Sequence, residues 1–108
     1  MINIIGAGPS GNYLASLLAK NGQEVNMFEE HLKVGDPMQC TGILSSSSKA
    51  LKINIPNKLV VNKIKRIQLI SPNNKSITFK LKEDDLILNR IGFDKYLSDV
   101  AEKNGVNI

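Results

Sequence analysis

The sequence predicts an α/β fold: an incomplete Rossmann-like βαβ unit, an inserted antiparallel hairpin or three-strand element, and a C-terminal helix. Three observations carry this. A Gly-x-Gly-x-x-Gly run, "GAGPSG" at 6–11, stands between an apolar opening and a helical pattern. Residues around 64–82 alternate with a period of two, and residues 93–101 recur with helical spacing.

The opening "MINIIG" is a short apolar run stopped by glycine, the pattern of a buried strand. Pro9 suits a first helical turn. Leu14, Leu17 and Leu18 then fall on one face with Ala15 and Ala19 beside them, and Asn21 and Gly22 supply a left-handed stop. Val25 to Phe28 gives a second strand, which completes a crossover of right-handed sense. Irregular chain follows, marked by "SSSS" at 45–48 and by Pro56, with a short helix near Lys49 to Leu51. In "SITFKLK", Ile77, Phe79 and Leu81 alternate with Thr78, Lys80 and Lys82; the preceding "KIKRIQLI" and the turn "SPNN" make this a hairpin. Leu86 to Leu88 is expected as its third strand. Phe93, Tyr96, Leu97, Val100 and Ala101 form a helix face, "NG" at 104–105 ends it, and "VNI" begins another strand. The resulting division is a cradle over 1–33, a loop over 34–58, basic antiparallel strands over 59–90, and a helix with the start of a strand over 92–108.

A chain of 108 residues with a formal charge of +4 suits one small domain. Between Asp36 and Glu83 there is no acidic residue, while nine Lys or Arg occur. That stretch is either a solvated strand face with lysines guarding an edge or a surface turned toward an anionic partner. Nucleic acid is not expected, because the five aromatics do not alternate with the basic residues as a stacking platform requires. A single cysteine, Cys40, forms no internal disulfide, and no apolar run approaches the ~20 residues of a spanning helix. The expected location is cytoplasmic, with at most peripheral membrane contact.

The glycine run explains its own spacing. Gly6 permits the tight turn, Gly8 lets a pyrophosphate approach the backbone, and Gly11 lets the helix lie close against the strand. Unpaired N–H groups and the positive helix end then face the phosphates. Glu29 stands 23 residues after Gly6 at the end of the second strand, where its carboxylate can hold ribose hydroxyls and repel a 2′-phosphate. His31 has no partner at metal-ligand spacing and is expected in a solvated loop; no metal site is expected. Both NAD and FAD fit the cradle. The departure into a loop and basic hairpin after the second strand favours FAD.

The stretches "GAGPSGNYLASLLAKNGQEVNMFEE", "VGDPMQCTGIL" and "LNRIGFDKYLSDVAEKNGVNI" resemble the N-terminal part of the geranylgeranyl reductase family, flavoproteins with the p-hydroxybenzoate-hydroxylase type of fold. The resemblance is most specific in the G-x-P-x-x-C-x-G element. It implies that Gly6, Gly8, Pro9, Ser10 and Gly11 hold FAD phosphates and that Glu29 holds the ribose. It also implies that Cys40, Thr41 and Ile43 form the flavin-side loop and that Arg90, expected just before the helix, helps hold the cofactor. Cys40 is the one candidate catalytic residue; the alternative is a small packing residue. No Lys or Arg adjoins it in sequence, so a neutral thiol is expected.

The activity implied is reduction of isolated C=C bonds in isoprenoid lipid or diphosphate substrates. Later family elements, including a second flavin-binding motif, do not occur in these 108 residues. A truncated or split reductase portion, inactive alone, is therefore expected, with a partner chain supplying the rest. The alternatives are a non-catalytic nucleotide-binding stub, half of a two-chain flavoprotein, or an NAD-dependent Rossmann domain.

Overall fold

The computed structural model describes residues 1–108. The chain divides into two compact units: Met1–Cys40 with Arg90–Ile108, and Thr41–Asn89.

In the first unit, β1 (Ile2–Ile5) and β2 (Val25–Phe28) pair in parallel, with Ile2 opposite Val25 and Ile5 opposite Phe28. Between them runs α1 (Pro9–Lys20), and α2 (Arg90–Lys103) packs in the same unit. Both helices end in the same way. The amides of Gly22 and Gln23 return to Ala19 and Leu18, and those of Gly105 and Val106 return to Glu102 and Ala101. Each is a Schellman closure around an Asn-Gly pair, with the glycine at φ +78 or +94. After α2, Asn107 bonds to Val25 and Met27 on the edge of β2 that β1 does not use, the first rung of the further strand expected there.

The core gathers Ala7, Ala15, Val25, Met27, Ala101 and Val106. Its small residues explain two departures from expectation. On α1 the buried positions are Asn12, Ala15 and Ser16, whereas Leu14 and Leu17 are 49% and 41% exposed. A helix that approaches its sheet through glycine and alanine leaves its bulky positions to the sides. Likewise β1 is covered on one face only, and Ile5 is exposed.

The second unit is a three-stranded antiparallel sheet in the order β3 (Ile43–Leu44), β5 (Ser76–Leu88), β4 (Val60–Ile70). Two 3-10 turns, Ser46–Leu51 and Asn57–Leu59, precede β4. Leu86 to Leu88 is the end of β5 rather than a separate strand, and the third strand is β3, inside the segment expected as loop. A bulge accounts for the continuity: partners jump from Ile64 with Asp85 to Arg66 with Lys80, so β5 absorbs extra residues without a turn. The alternation of Ile77 and Phe79 does place them opposite Leu69 and Ile67. Ile77 and Phe79 are nevertheless exposed, at 64% and 43%, while Leu59 and Leu88 are the buried apolar side chains of this unit.

Candidate nucleotide-binding site

The loop after β1 turns at Gly6, whose φ of +96 is open to glycine and costly for other residues. Gly11 is constrained from the other side. A Cβ there would collide with the Gly6 carbonyl and touch Ile4, so the spacing that brings α1 onto β1 requires a bare α-carbon. Gly8 differs from both. It caps α1 in extended conformation, and a Cβ built on it meets nothing within 4 Å. Nothing in the protein itself asks for glycine at position 8; a ligand lying against the backbone would.

Pro9 occupies the first helical position and has no N–H to lose. The amide of Asn12 is the first to bond within the helix, to the Gly8 carbonyl at 3.0 Å. Gly8, Ser10 and Gly11 therefore present three N–H groups with no acceptor in the protein, at the positive end of a twelve-residue helix without an acidic residue in its first turn. Behind them Asn12, fully buried, donates its Nδ2 to the Ala7 carbonyl and ties the loop to the helix.

Glu29 follows β2 and faces this loop. Its Oε2 accepts the Ala7 amide at 2.7 Å. Its Oε1 accepts the His31 amide at 3.0 Å and His31 Nδ1 at 2.6 Å. The Ala7 amide above all, then the His31 amide and ring, pull the Glu29 carboxyl down to about 2, so it is ionised at any ordinary pH. His31 lies in an exposed loop, as expected from sequence, and in addition bonds Glu29 through both its amide and its ring. A glutamate two residues upstream was the available signal.

Gly6, Ala7, Gly8, Glu29 and His31 line a cleft of about 620 Å³, within the roughly 300–1,000 Å³ of small-molecule sites. Pro37, Gln39 and Asp94 line it too, so part of the 34–40 loop joins the cradle. The loop can do so because Gly35, at φ +83, comes so near α2 that a Cβ would fall 2.9 Å from that of Asp94.

Arg90 is the first residue of α2 rather than one before it, and its Nε and Nη2 grip Asp94 at 2.9 and 3.2 Å. Asp94 first, and Cys40 to a lesser degree, raise the Arg90 guanidinium above its ordinary value. A cation thus does stand at Cys40, contrary to the reading that no Lys or Arg adjoins it; sequence distance hid a neighbour 50 residues away. Cys40 is also exposed, so it is not a packing residue. Asp94 was missed, although its i,i+4 relation to Arg90 is legible. Thr41 and Ile43 belong to the second unit, where both are exposed and Ile43 pairs with Ile87 in β3.

Glycine turn, unpaired helix amides and a terminal carboxylate on the second strand define a Rossmann-type βαβ unit. The family model described as an NAD(P)-binding Rossmann-like domain matches residues 4–41. The whole chain is related to the N-terminal part of the digeranylgeranylglycerophospholipid reductases, as the residue pattern indicated. It is 31% identical to reductase 2 of Methanosphaera stadtmanae over 113 residues, covering 99% of this chain and 29% of that protein. Among solved structures, a geranylgeranyl bacteriochlorophyll reductase-like protein from Thermoplasma acidophilum matches with a TM-score of 0.87 and 26% identity, over 98% of this chain and 28% of the other. The halogenase PltM, solved with phloroglucinol and FAD, shares the fold at a TM-score of 0.72 and 18% identity, over 98% of this chain and 26% of its own. The chain spans less than a third of each of these three proteins. No helix is long and apolar enough to cross a membrane.

Proposed function

We propose that this chain is the FAD-binding portion of a flavin-dependent oxidoreductase that reduces C=C bonds of isoprenoid lipid chains. The observation that carries the reading is the pairing of three unpartnered amides, at Gly8, Ser10 and Gly11, with the Glu29 carboxylate, ionised at ordinary pH. Such a site suits a diphosphate joined to a ribose. The amides and the α1 terminus would hold the phosphates and Glu29 a ribose hydroxyl. Arg90, held by Asp94, would stand with Cys40 on the flavin side. Bound flavin would supply the hydride equivalent; the chain supplies binding, orientation and charge. Kinship with proteins named for digeranylgeranylglycerophospholipid reduction supports this substrate class.

The test is an absorbance scan of the purified chain and an FAD titration, with Gly8→Val alongside. Wild type should bind FAD, and the valine should remove binding while leaving the fold intact, because position 8 is open in the protein. Equal FAD affinity in both would overturn the cradle assignment.

A second reading, an NAD-dependent Rossmann domain, is favoured by the description of the matching family model. Preference for NADH over FAD in the same titration would select it. The exposed basic residues between Lys49 and Lys82 support contact with anionic head groups, at about 1 kcal/mol per well-placed cation. Sedimentation with anionic vesicles that fades at high salt is the expected result; equal binding to neutral vesicles would remove it.

A further inference from the structure

A carboxylate offers about four lone-pair sites, and in this structure three of those on Glu29 are taken. Oε1 receives both the amide and the ring Nδ1 of His31, and Oε2 receives the Ala7 amide. One acceptor site remains, on Oε2. A ribose diol brings two hydroxyl donors, so it cannot place both on Glu29 while the imidazole stays where it is.

The three donors are unequal in how readily they can leave. The amides of Ala7 and His31 are backbone and fixed by the loop. The His31 side chain is 41% exposed and can turn toward water about its own side-chain torsions. Because a carboxylate only accepts, Nδ1 carries the proton in either charge state of the ring, and the contact is charge-assisted in both.

We infer that the His31 imidazole is an internal competitor for Glu29, a latch that a nucleotide must displace to engage both ribose hydroxyls. This rests on the nucleotide-binding reading proposed above. The two backbone amides keep the carboxylate aimed once the ring has left, so displacement exposes a second acceptor without releasing the side chain. The latch therefore acts on ligands with a vicinal diol next to a diphosphate, and is silent toward a sugar lacking those hydroxyls.

Calorimetric titration of the full chain with ADP and with 2′,3′-dideoxy-ADP tests this. His31→Ala should tighten ADP binding about fivefold, the scale of one exposed hydrogen bond, and leave dideoxy-ADP within about twofold. His31→Phe fills similar space without a donor and should behave like alanine, which separates the latch from any loss of packing. His31→Asn, which retains a side-chain donor, should stay near wild type. An ADP affinity unchanged or weakened in both His31→Ala and His31→Phe overturns the latch, as does equal tightening toward both nucleotides. A wild-type chain that binds no ADP at all overturns the nucleotide reading itself, and the latch with it.

Discussion

The cradle and the hairpin respond to their sequences in opposite ways. In the cradle Gly6, Gly11 and Glu29 each have a local reason to be where they are, and their geometry follows from contacts within about thirty residues. In the hairpin the alternation of Ile77 and Phe79 sets the strand and its register, yet both side chains are exposed, and only Leu81 at the bulge is half-buried. A period of two says which side chains share a face; it does not say what covers that face. The comparison teaches that backbone constraints are legible at short range, whereas burial depends on partners that pattern alone does not name.

The sharpest way to break this contrast is at Gly11. Even alanine there places a Cβ against the Gly6 carbonyl, so Gly11→Ala should cost about 2–3 kcal/mol, the upper range for overpacking. Thermal unfolding followed by circular dichroism measures it. Gly8→Ala, in contrast, should melt as wild type, because its Cβ position is empty. Equal destabilisation by the two would mean that the glycines serve the same turn rather than two different roles.

Arg90 comes next. Its side chain and that of Asp94 are 16% and 10% exposed, and removing the cation leaves a carboxylate facing the cleft with its fork of donors gone. Arg90→Ala should cost about 1–2 kcal/mol, while Arg90→Lys, which cannot reproduce the paired contact, should recover part of it. Denaturant titration of the three proteins would show the order.

Glu29 gives a smaller and pH-dependent effect. Its folded value of about 2 lies below the ordinary 4.5, so its contribution is complete above about 4.5 and is lost as pH falls from there through about 2. Wild type should therefore lose melting temperature across that window relative to Glu29→Gln, with a loss on the order of 1 kcal/mol. Parallel profiles for the two proteins would show that the carboxylate's bonds contribute nothing to folding.

The elements of the βαβ unit were legible because each rests on a local rule: Pro9 starts α1, an Asn-Gly pair ends each helix, and four-residue runs with three apolar positions make the strands. The site was legible in part. Gly6, Gly8, Gly11 and Glu29 follow from one spacing, whereas the closeness of Arg90 to Cys40 depends on chain that returns after 50 residues, and Gly35 acquires its meaning only when α2 lies against it. The bulge in β5 was hidden for a different reason. Its residues, "LKEDD", carry neither glycine nor proline, so no turn residue marks the register shift.

The smallest expected effect tests the hairpin side of the comparison. Phe79 and Ile77 are apolar yet largely exposed, so Phe79→Thr or Ile77→Thr should change stability by no more than about 0.5 kcal/mol, threonine being a good strand former. Leu88→Ala, at a position 4% exposed in the same strand, should cost about 2–3 kcal/mol. The ratio of these costs measures how much burial this face has in solution. A Phe79→Thr cost approaching that of Leu88→Ala would show the stripe to be covered there, and a protein-concentration dependence of that cost would identify a second copy of the chain as the cover.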